Sequence, residues 1–261
     1  MKDLKIQILF FYYDRPEMAK TFALKSVLQS SYPNWELSFI DDSTKQNGNK
    51  IIEELLSENS DYVNAPNYYG EKINFLDKIK VYKTGNIREN GHSIFGKFAN
   101  QAMIESDSDI SIMLCDDDAL LQDYLMNLKN FYIKNLAIKY SYCHLIEYDP
   151  EKVAKLKEIR RIDVGDRYPD FPLNRSECIN PYCNIDSTQV SWRREEFVKI
   201  GKFPYPQTRD LDASIYDAMF KAWGNCCWNG LTGQYKGWFD DQLGKRLKGW
   251  HSEEAFNIKV S

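Results

Sequence analysis

Three consecutive carboxylates, Asp116-Asp117-Asp118, follow directly on the run Ile110-Ser111-Ile112-Met113-Leu114-Cys115. The run is apolar, carries β-branched residues and has strand length, so it reads as a buried strand. Like charges abutting a core strand repel one another and resist burial. A divalent cation held by hard oxygen ligands would relieve that repulsion. Water would relieve it too, if the triplet were an acidic turn capping a helix that begins near Asp123. The triplet alone leaves both readings open.

The elements around it narrow the choice. Ile6 to Tyr13 is apolar and aromatic and reads as a strand, stopped at Asp14-Arg15-Pro16. Pro is well tolerated in a first helical turn, so a helix is expected from about Glu17 to Gln29, with Ala19, Phe22, Ala23, Ser26 and Val27 on its inner face. Trp35 to Ile40 is a second strand and also ends in carboxylates, Asp41-Asp42. A second helix fits Lys50 to Ser57. Strand, helix, strand, helix is the pattern of a parallel sheet with right-handed crossovers, whose ligands sit beyond the carboxyl ends of the strands. That rule gathers Asp14, Asp41, Asp42 and Asp116 to Asp118 onto one edge.

The rest of the chain is less regular. Asp61 to Glu89 is polar, with room for one short strand. Gly96 to Ile104 reads as a helix leading into the triplet strand, and Asp123 to Ile133 as an amphipathic helix. Lys139 to Tyr148 and Ser187 to Trp192 read as strands, Val153 to Arg161 as a surface segment, and Asp166 to Asn184 as a loop over the edge. Asp210-Leu211-Asp212 opens a helix with Ile215, Tyr216, Met219, Phe220 and Trp223 at helical spacing, closed by Gly224. Asp212 lies three and four residues before Ile215 and Tyr216, on their stripe, so its carboxylate is expected to face the protein body. An N-cap role for Asp210 or Asp212 is the alternative.

With 261 residues and a formal net charge of -4, the chain can bury a substantial core and has no basic block of the kind that binds nucleic acid. None of its six cysteines forms a C-x-x-C pair, which argues against a zinc site. Scattered cysteines after a start that runs straight into a strand suggest a reducing compartment. No apolar stretch reaches the ~20 residues that span a bilayer. The expectation is a cytoplasmic protein, with docking on the inner membrane face left open.

Several of these segments, in order, resemble the family 2 glycosyltransferases. Ile8-Leu9-Phe10-Phe11-Tyr12-Tyr13-Asp14-Arg15-Pro16 resembles their opening strand and Tyr-Asn-Arg-Pro turn, with Asp14 in place of Asn. Ser26 to Leu37 is similar to their first helix and second strand, and Ile40-Asp41-Asp42-Ser43 to their paired Asp. Asn100-Gln101-Ala102 fits the helix before their metal strand. Cys115-Asp116-Asp117-Asp118 fits their Asp-x-Asp region, with Cys115 where the first Asp stands. Arg193-Arg194-Glu195-Glu196-Phe197 and Gly201-Lys202-Phe203 match later landmarks, and the likeness fades beyond Trp223.

The resemblance implies a GT-A type, Rossmann-like α/β fold: a mostly parallel central sheet flanked by helices, with a C-terminal acceptor-side extension. Residues 1–122 would form the donor half and 123–261 the acceptor and catalytic-base half of one domain. It implies a nucleotide-sugar donor, most often a uridine diphosphate sugar. Asp42 would bind the base with Asp41 and Asp14 beside it, Lys97 would lie near the donor, and Asp116 would face the ribose. Asp117 and Asp118 would hold Mn2+ or Mg2+ on the diphosphate, and Asp212 would be the catalytic base of an inverting transfer. The acceptor would be a glycan, a lipid-linked sugar or another hydroxyl compound, as in bacterial-type polysaccharide or glycoconjugate synthesis. His251 is a further metal-ligand candidate, and Trp238 and Trp250 could floor a sugar site. Two other readings use a similar sheet. A nucleotidyltransferase would want a Gly-rich phosphate loop after the first strand, which Asp14-Arg15-Pro16 does not supply. A binding module that has lost its chemistry is the other.

Overall fold

The computed structural model describes residues 3–60, 63, 74–89, 92–148, 176–182, 184–201, 203 and 211–237. Strand β1 (Ile6–Tyr12) pairs in parallel with β2 (Trp35–Asp41) on one side and β6 (Ile110–Cys115) on the other. β2 continues in parallel to β3 (Ile79–Lys83). Every residue of β1 and β6 is buried except Phe11 and Cys115, as expected for central strands covered on both faces.

Helices lie on both faces of these four strands. Pro16–Met18 enters a π-helical turn, Ala19–Leu24, and continues as Lys25–Leu28. The helix Gly48–Glu58 packs its Ile51, Ile52 and Leu55 against the same core cluster as Leu24, Val27 and Phe39. The helix Phe95–Glu105 covers the opposite face with Ala99, Ala102 and Met103. Between the layers, Gln7 is fully buried. Its amide donates to Ser38 Oγ and to the Ala102 carbonyl, both at 3.0 Å, while its Oε1 accepts from Ser111 Oγ at 3.0 Å. One side chain thus ties three strands and a helix with no polar atom left unpaired.

Beyond β6 the sheet changes direction. β10 (Val190–Arg193) is antiparallel to both β6 and β8 (Tyr140–Tyr148). β8 runs parallel to β11 (Cys226–Gly237), which pairs antiparallel with the two-residue β7 (Ala119–Leu120). The acidic triplet is the link between β6 and β7. β9 (Cys178–Ile179) adds to the start of β11, while β4 (Arg88–Glu89) and β5 (His92–Ser93) pair as a separate antiparallel ribbon. The sheet is continuous across the 122/123 boundary expected from sequence.

Arg193 and Arg194 anchor this second half. Arg193 Nη2 donates to the Tyr132 carbonyl at 3.0 Å, near the end of the helix Tyr124–Lys134. Arg194 Nη1 donates to the Met103 carbonyl at 3.0 Å, near the end of Phe95–Glu105. Each cation therefore sits at the negative end of a helix.

Three differences from the sequence reading have physical causes. The Ser187 to Trp192 strand begins later, because Asp186 caps a 3-10 turn, Ser187–Gln189, through a capping box with Gln189. Part of the Asp166 to Asn184 loop is the strand Cys178–Ile179, held by pairing that local sequence does not encode. Cys178 and Cys227 form a disulfide, which departs from the expectation of thiols kept reduced. The segment Val153 to Arg161 lies outside the described residues. Among the described residues no helix is long and apolar enough to cross a membrane.

Candidate functional site

Asp14, Asp41, Asp42 and the triplet all lie at the carboxyl edge of the parallel strands, but they do different work there. Asp41 is fully buried. Its Oδ2 accepts from the Gly48 N–H at 2.7 Å, and its Oδ1 accepts from the Ser43 N–H at 3.1 Å and from Ser43 Oγ at 2.5 Å. Both oxygens are committed to the turn after β2 and the start of the next helix. Expected beside Asp42 at the donor, Asp41 is placed where its carboxylate organises this loop. Asp14, exposed and with φ at +53°, accepts from the Thr44 N–H at 2.9 Å and Thr44 Oγ1 at 3.0 Å. It clips the β1 loop to the β2 loop in a left-handed conformation that Asp and Asn tolerate better than most residues.

Asp42 is buried as well. Its Oδ1 accepts from Thr84 Oγ1 at 2.6 Å and Arg88 Nη1 at 3.0 Å, and its Oδ2 from Ser93 Oγ at 2.8 Å. Arg88 in turn lies over the exposed ring of Tyr13, 5.9 Å from its centroid. Ser93 Oγ also accepts from the Phe95 N–H at 3.1 Å, so Asp42 is joined to the head of the helix that carries Lys97. Lys97 is solvent exposed in the first turn of that helix.

The triplet is drawn inward. Asp116 Oδ2 accepts from the Tyr13 N–H at 2.8 Å, and its Oδ1 lies 3.2 Å from Arg15 Nη2. Arg15 Nη1 donates to Asp117 Oδ2 at 2.7 Å. Asp118 is fully buried and lies 3.2 Å from Lys236 Nζ. Lys236 also reaches Asp186 Oδ1 at 3.4 Å. Burial pushes the Asp116 carboxyl up to about 7, against the opposing pull of Arg15 and with the charge of Asp117 adding to the rise. Lys236 is driven the other way from what its burial alone would do: Asp118 and Asp186 hold it above the ordinary lysine range.

One ligand atom from each of Cys115, Asp117 and Asp118 can be chosen so that all lie within 4.8 Å of one another. The two carboxylates are the hard oxygen donors that Mg2+ and Mn2+ prefer. Cys115 suits such an ion poorly, since its thiol is a soft donor and Mg2+ and Mn2+ prefer oxygen. Asp117 and Asp118 fit a divalent ion, and Cys115 is a neighbour.

The helix expected to bear the base spans Leu211–Trp223 and ends at Gly224, whose φ of +76° is the left-handed stop anticipated for it. Asp212 lies in its first turn, though the placement of its side chain is outside what is described. Tyr216, one turn further on, donates to the carbonyls of Asp186 at 3.1 Å and Ser187 at 3.0 Å. A continuous path therefore runs from Asp118 through Lys236 and Asp186 to the helix of Asp212. Asn100 steadies the approach to that helix, its side chain bonding both the N–H of Phe203 at 2.7 Å and its carbonyl at 2.9 Å. Asp210, His251, Trp238 and Trp250 lie outside the described residues.

Sequence reasoning did not single out Arg15, Arg88, Lys236 or Asp186. Arg15 stands in a quoted motif and could have been read as a counter-ion. Asp186 has a capping signature with Gln189, which points to a turn and not to a site. Lys236 has no local signal at all.

A parallel half-sheet with an acidic turn at its carboxyl edge is joined to a mixed half that brings further groups to the same turn. Solved structures share this fold. S. aureus TarS 1-349 superposes with a TM-score of 0.60 at 14% identity, over 90% of this chain and 60% of that one. The same protein in complex with UDP-GlcNAc gives 0.61 at 12% identity, over 92% and 60%, and its UDP complex gives 0.60 at 13%, over 91% and 61%. The chain thus spans about three fifths of the length of these structures. No protein-family model matches the chain, and no curated protein matches it in sequence.

Proposed function

We propose that the chain is an inverting glycosyltransferase of the family 2 kind, which moves a sugar from a nucleoside diphosphate sugar to a hydroxyl acceptor. The observation that carries this reading is the path just described, which joins the acidic turn to the helix of Asp212. In this reading the acidic turn takes the leaving group and the helix supplies the base, and the path between them supports it.

Asp42, with Arg88 and the Tyr13 ring beside it, receives the base. Asp116 faces the ribose, with Asp14 and Lys97 flanking the donor. Asp117 and Asp118 would hold Mn2+ or Mg2+, which would supply Lewis-acid stabilisation to the charge gathering on the departing diphosphate. Asp212 takes the proton of the acceptor hydroxyl as the new bond forms, within hydrogen-bond reach of it. Attack opposite the leaving group in one displacement inverts the anomeric carbon. UDP-GlcNAc is the donor to try first, since TarS structures hold UDP and UDP-GlcNAc. The acceptor is a glycan, a lipid-linked sugar or another hydroxyl compound, presented in solution or at a membrane surface.

The test is a screen of nucleotide-sugar donors scored by nucleotide release, with Mn2+ and an acceptor mixture. Asp212→Asn should lower turnover at least about 100-fold, the scale of a lost general base, while UDP affinity measured by calorimetry stays within threefold. Unimpaired turnover in that variant removes Asp212 from the role. Absence of nucleotide binding altogether sinks the transferase reading.

A further inference from the structure

Lys236 is the group the donor-site reading leaves unexplained. It comes from β11, far along the chain from the triplet, and its ammonium sits between Asp118 at 3.2 Å and Asp186 at 3.4 Å. All three side chains are largely shielded, Asp118 completely so. Asp186 is held in place independently: its Oδ1 accepts from the Thr188 N–H at 3.0 Å and Thr188 Oγ1 at 2.9 Å, and its carbonyl is fixed by Tyr216. On the other flank, Arg15 serves Asp116 and Asp117. The turn therefore carries its own cations, and both occupy carboxylates that a divalent ion would use, Arg15 on Asp117 and Lys236 on Asp118.

We propose that Lys236 is a positioning residue that acts as an internal counter-ion of the acidic turn, competing with a divalent cation for Asp118, with Asp186 as the alternative partner that lets it yield. This rests on the reading of Asp117 and Asp118 as the metal ligands. Without metal, Lys236 supplies the counter-charge beside the buried Asp118 carboxylate, 3.2 Å away. When the ion enters, repulsion moves the ammonium wholly onto Asp186, whose position the Thr188 and Tyr216 contacts have already set. The exchange is electrostatic, and no covalent step is involved.

The competition fixes opposite signs for two substitutions. Lys236→Gln removes the competitor for Asp118, leaving Arg15 on Asp117, and should tighten Mn2+ binding at least tenfold. Asp186→Asn keeps the turn cap, since an amide oxygen accepts the Thr188 N–H equally well. It commits Lys236 to Asp118 and should weaken Mn2+ binding about tenfold. In the Lys236→Gln background that weakening should shrink below threefold, because Asp186 acts through Lys236. The measurement is uptake of Mn2+ alone by the full chain, read from the loss of the free-ion electron paramagnetic resonance signal, with circular dichroism to check folding.

Unchanged or weaker binding in Lys236→Gln overturns the proposal. So does full-sized weakening by Asp186→Asn in the double variant, which would make Asp186 a ligand itself. Should Lys236→Gln not fold, unchanged or tighter binding in Asp186→Asn overturns it alone. Failure of all proteins to take up Mn2+ overturns both this proposal and the metal assignment. Normal uptake with no difference among variants removes this one only.

Discussion

At the residue scale, two neighbouring carboxylates show how position decides role. Asp41 and Asp42 are adjacent and both buried, yet Asp41 is bonded within its own loop and Asp42 to Thr84, Arg88 and Ser93 from later segments. Asp41→Ala leaves the buried Gly48 N–H without its acceptor, at a cost of about 2–3 kcal/mol, readable as a lower denaturant midpoint with unchanged slope. The sequence places both residues at a strand end correctly, and the paired-Asp resemblance is blind to which one is bonded within its own loop. That choice is made by the N–H groups of Ser43 and Gly48, which present a ready-made nest to the first carboxylate. The same blindness covers Lys236. A residue's meaning in an ion pair lies with partners 50 and 118 positions away, and no local periodicity records them.

At the element scale, hydrophobic pattern was informative wherever a strand or helix is buried by its own sequence. The first strand, its helix and the triplet strand were all legible, because alternating or continuous apolar runs state the element and its exposure together. β11 was not. Its central stretch, Asn229-Gly230-Leu231-Thr232-Gly233-Gln234, has polar residues and glycines, and its pairing with β8 shifts register there twice. Gly233 is required by space: a Cβ would come within 2.6 Å of Cys143 Sγ and of the Tyr124 ring. Gly233→Ala should destabilise the fold by about 1–3 kcal/mol through overpacking, measured by thermal melting. A surface contact gives a pH prediction. Lys80 first, then Gln101 and Tyr82, donate to Glu105 and hold its carboxyl down to about 2 from 4.5. The folded state thus binds that proton less tightly than the unfolded one. Glu105 adds stability above the unfolded value, and that contribution is lost as pH falls from 4.5 toward about 2. Wild type should be more stable than Glu105→Gln at pH 7, with the gap closing across that window in denaturant titrations.

At the scale of the whole molecule, a ligand that binds only the folded chain must raise its stability by mass action. UDP with Mn2+ at about 100 times the dissociation constant should add about 2.7 kcal/mol, seen as a higher melting temperature that vanishes with chelator if the metal bridges nucleotide and protein. Fold class was legible because the order of elements constrains a parallel sheet so strongly. The antiparallel return through β10 and the late strand was legible only in part, since such pairings join distant segments. One consequence follows from where Lys236 lies. On the ribosome, the acidic turn emerges more than a hundred residues before the cation that neutralises it, the two being 118 positions apart. Until β11 docks, a nascent chain holds its triplet charges with Arg15 as the near cation, and the turn must stay open to water. The acidic edge is therefore among the last parts of the protein to mature, and chains stalled before β11 should be targets for chaperones and proteases even when their four parallel strands are in place.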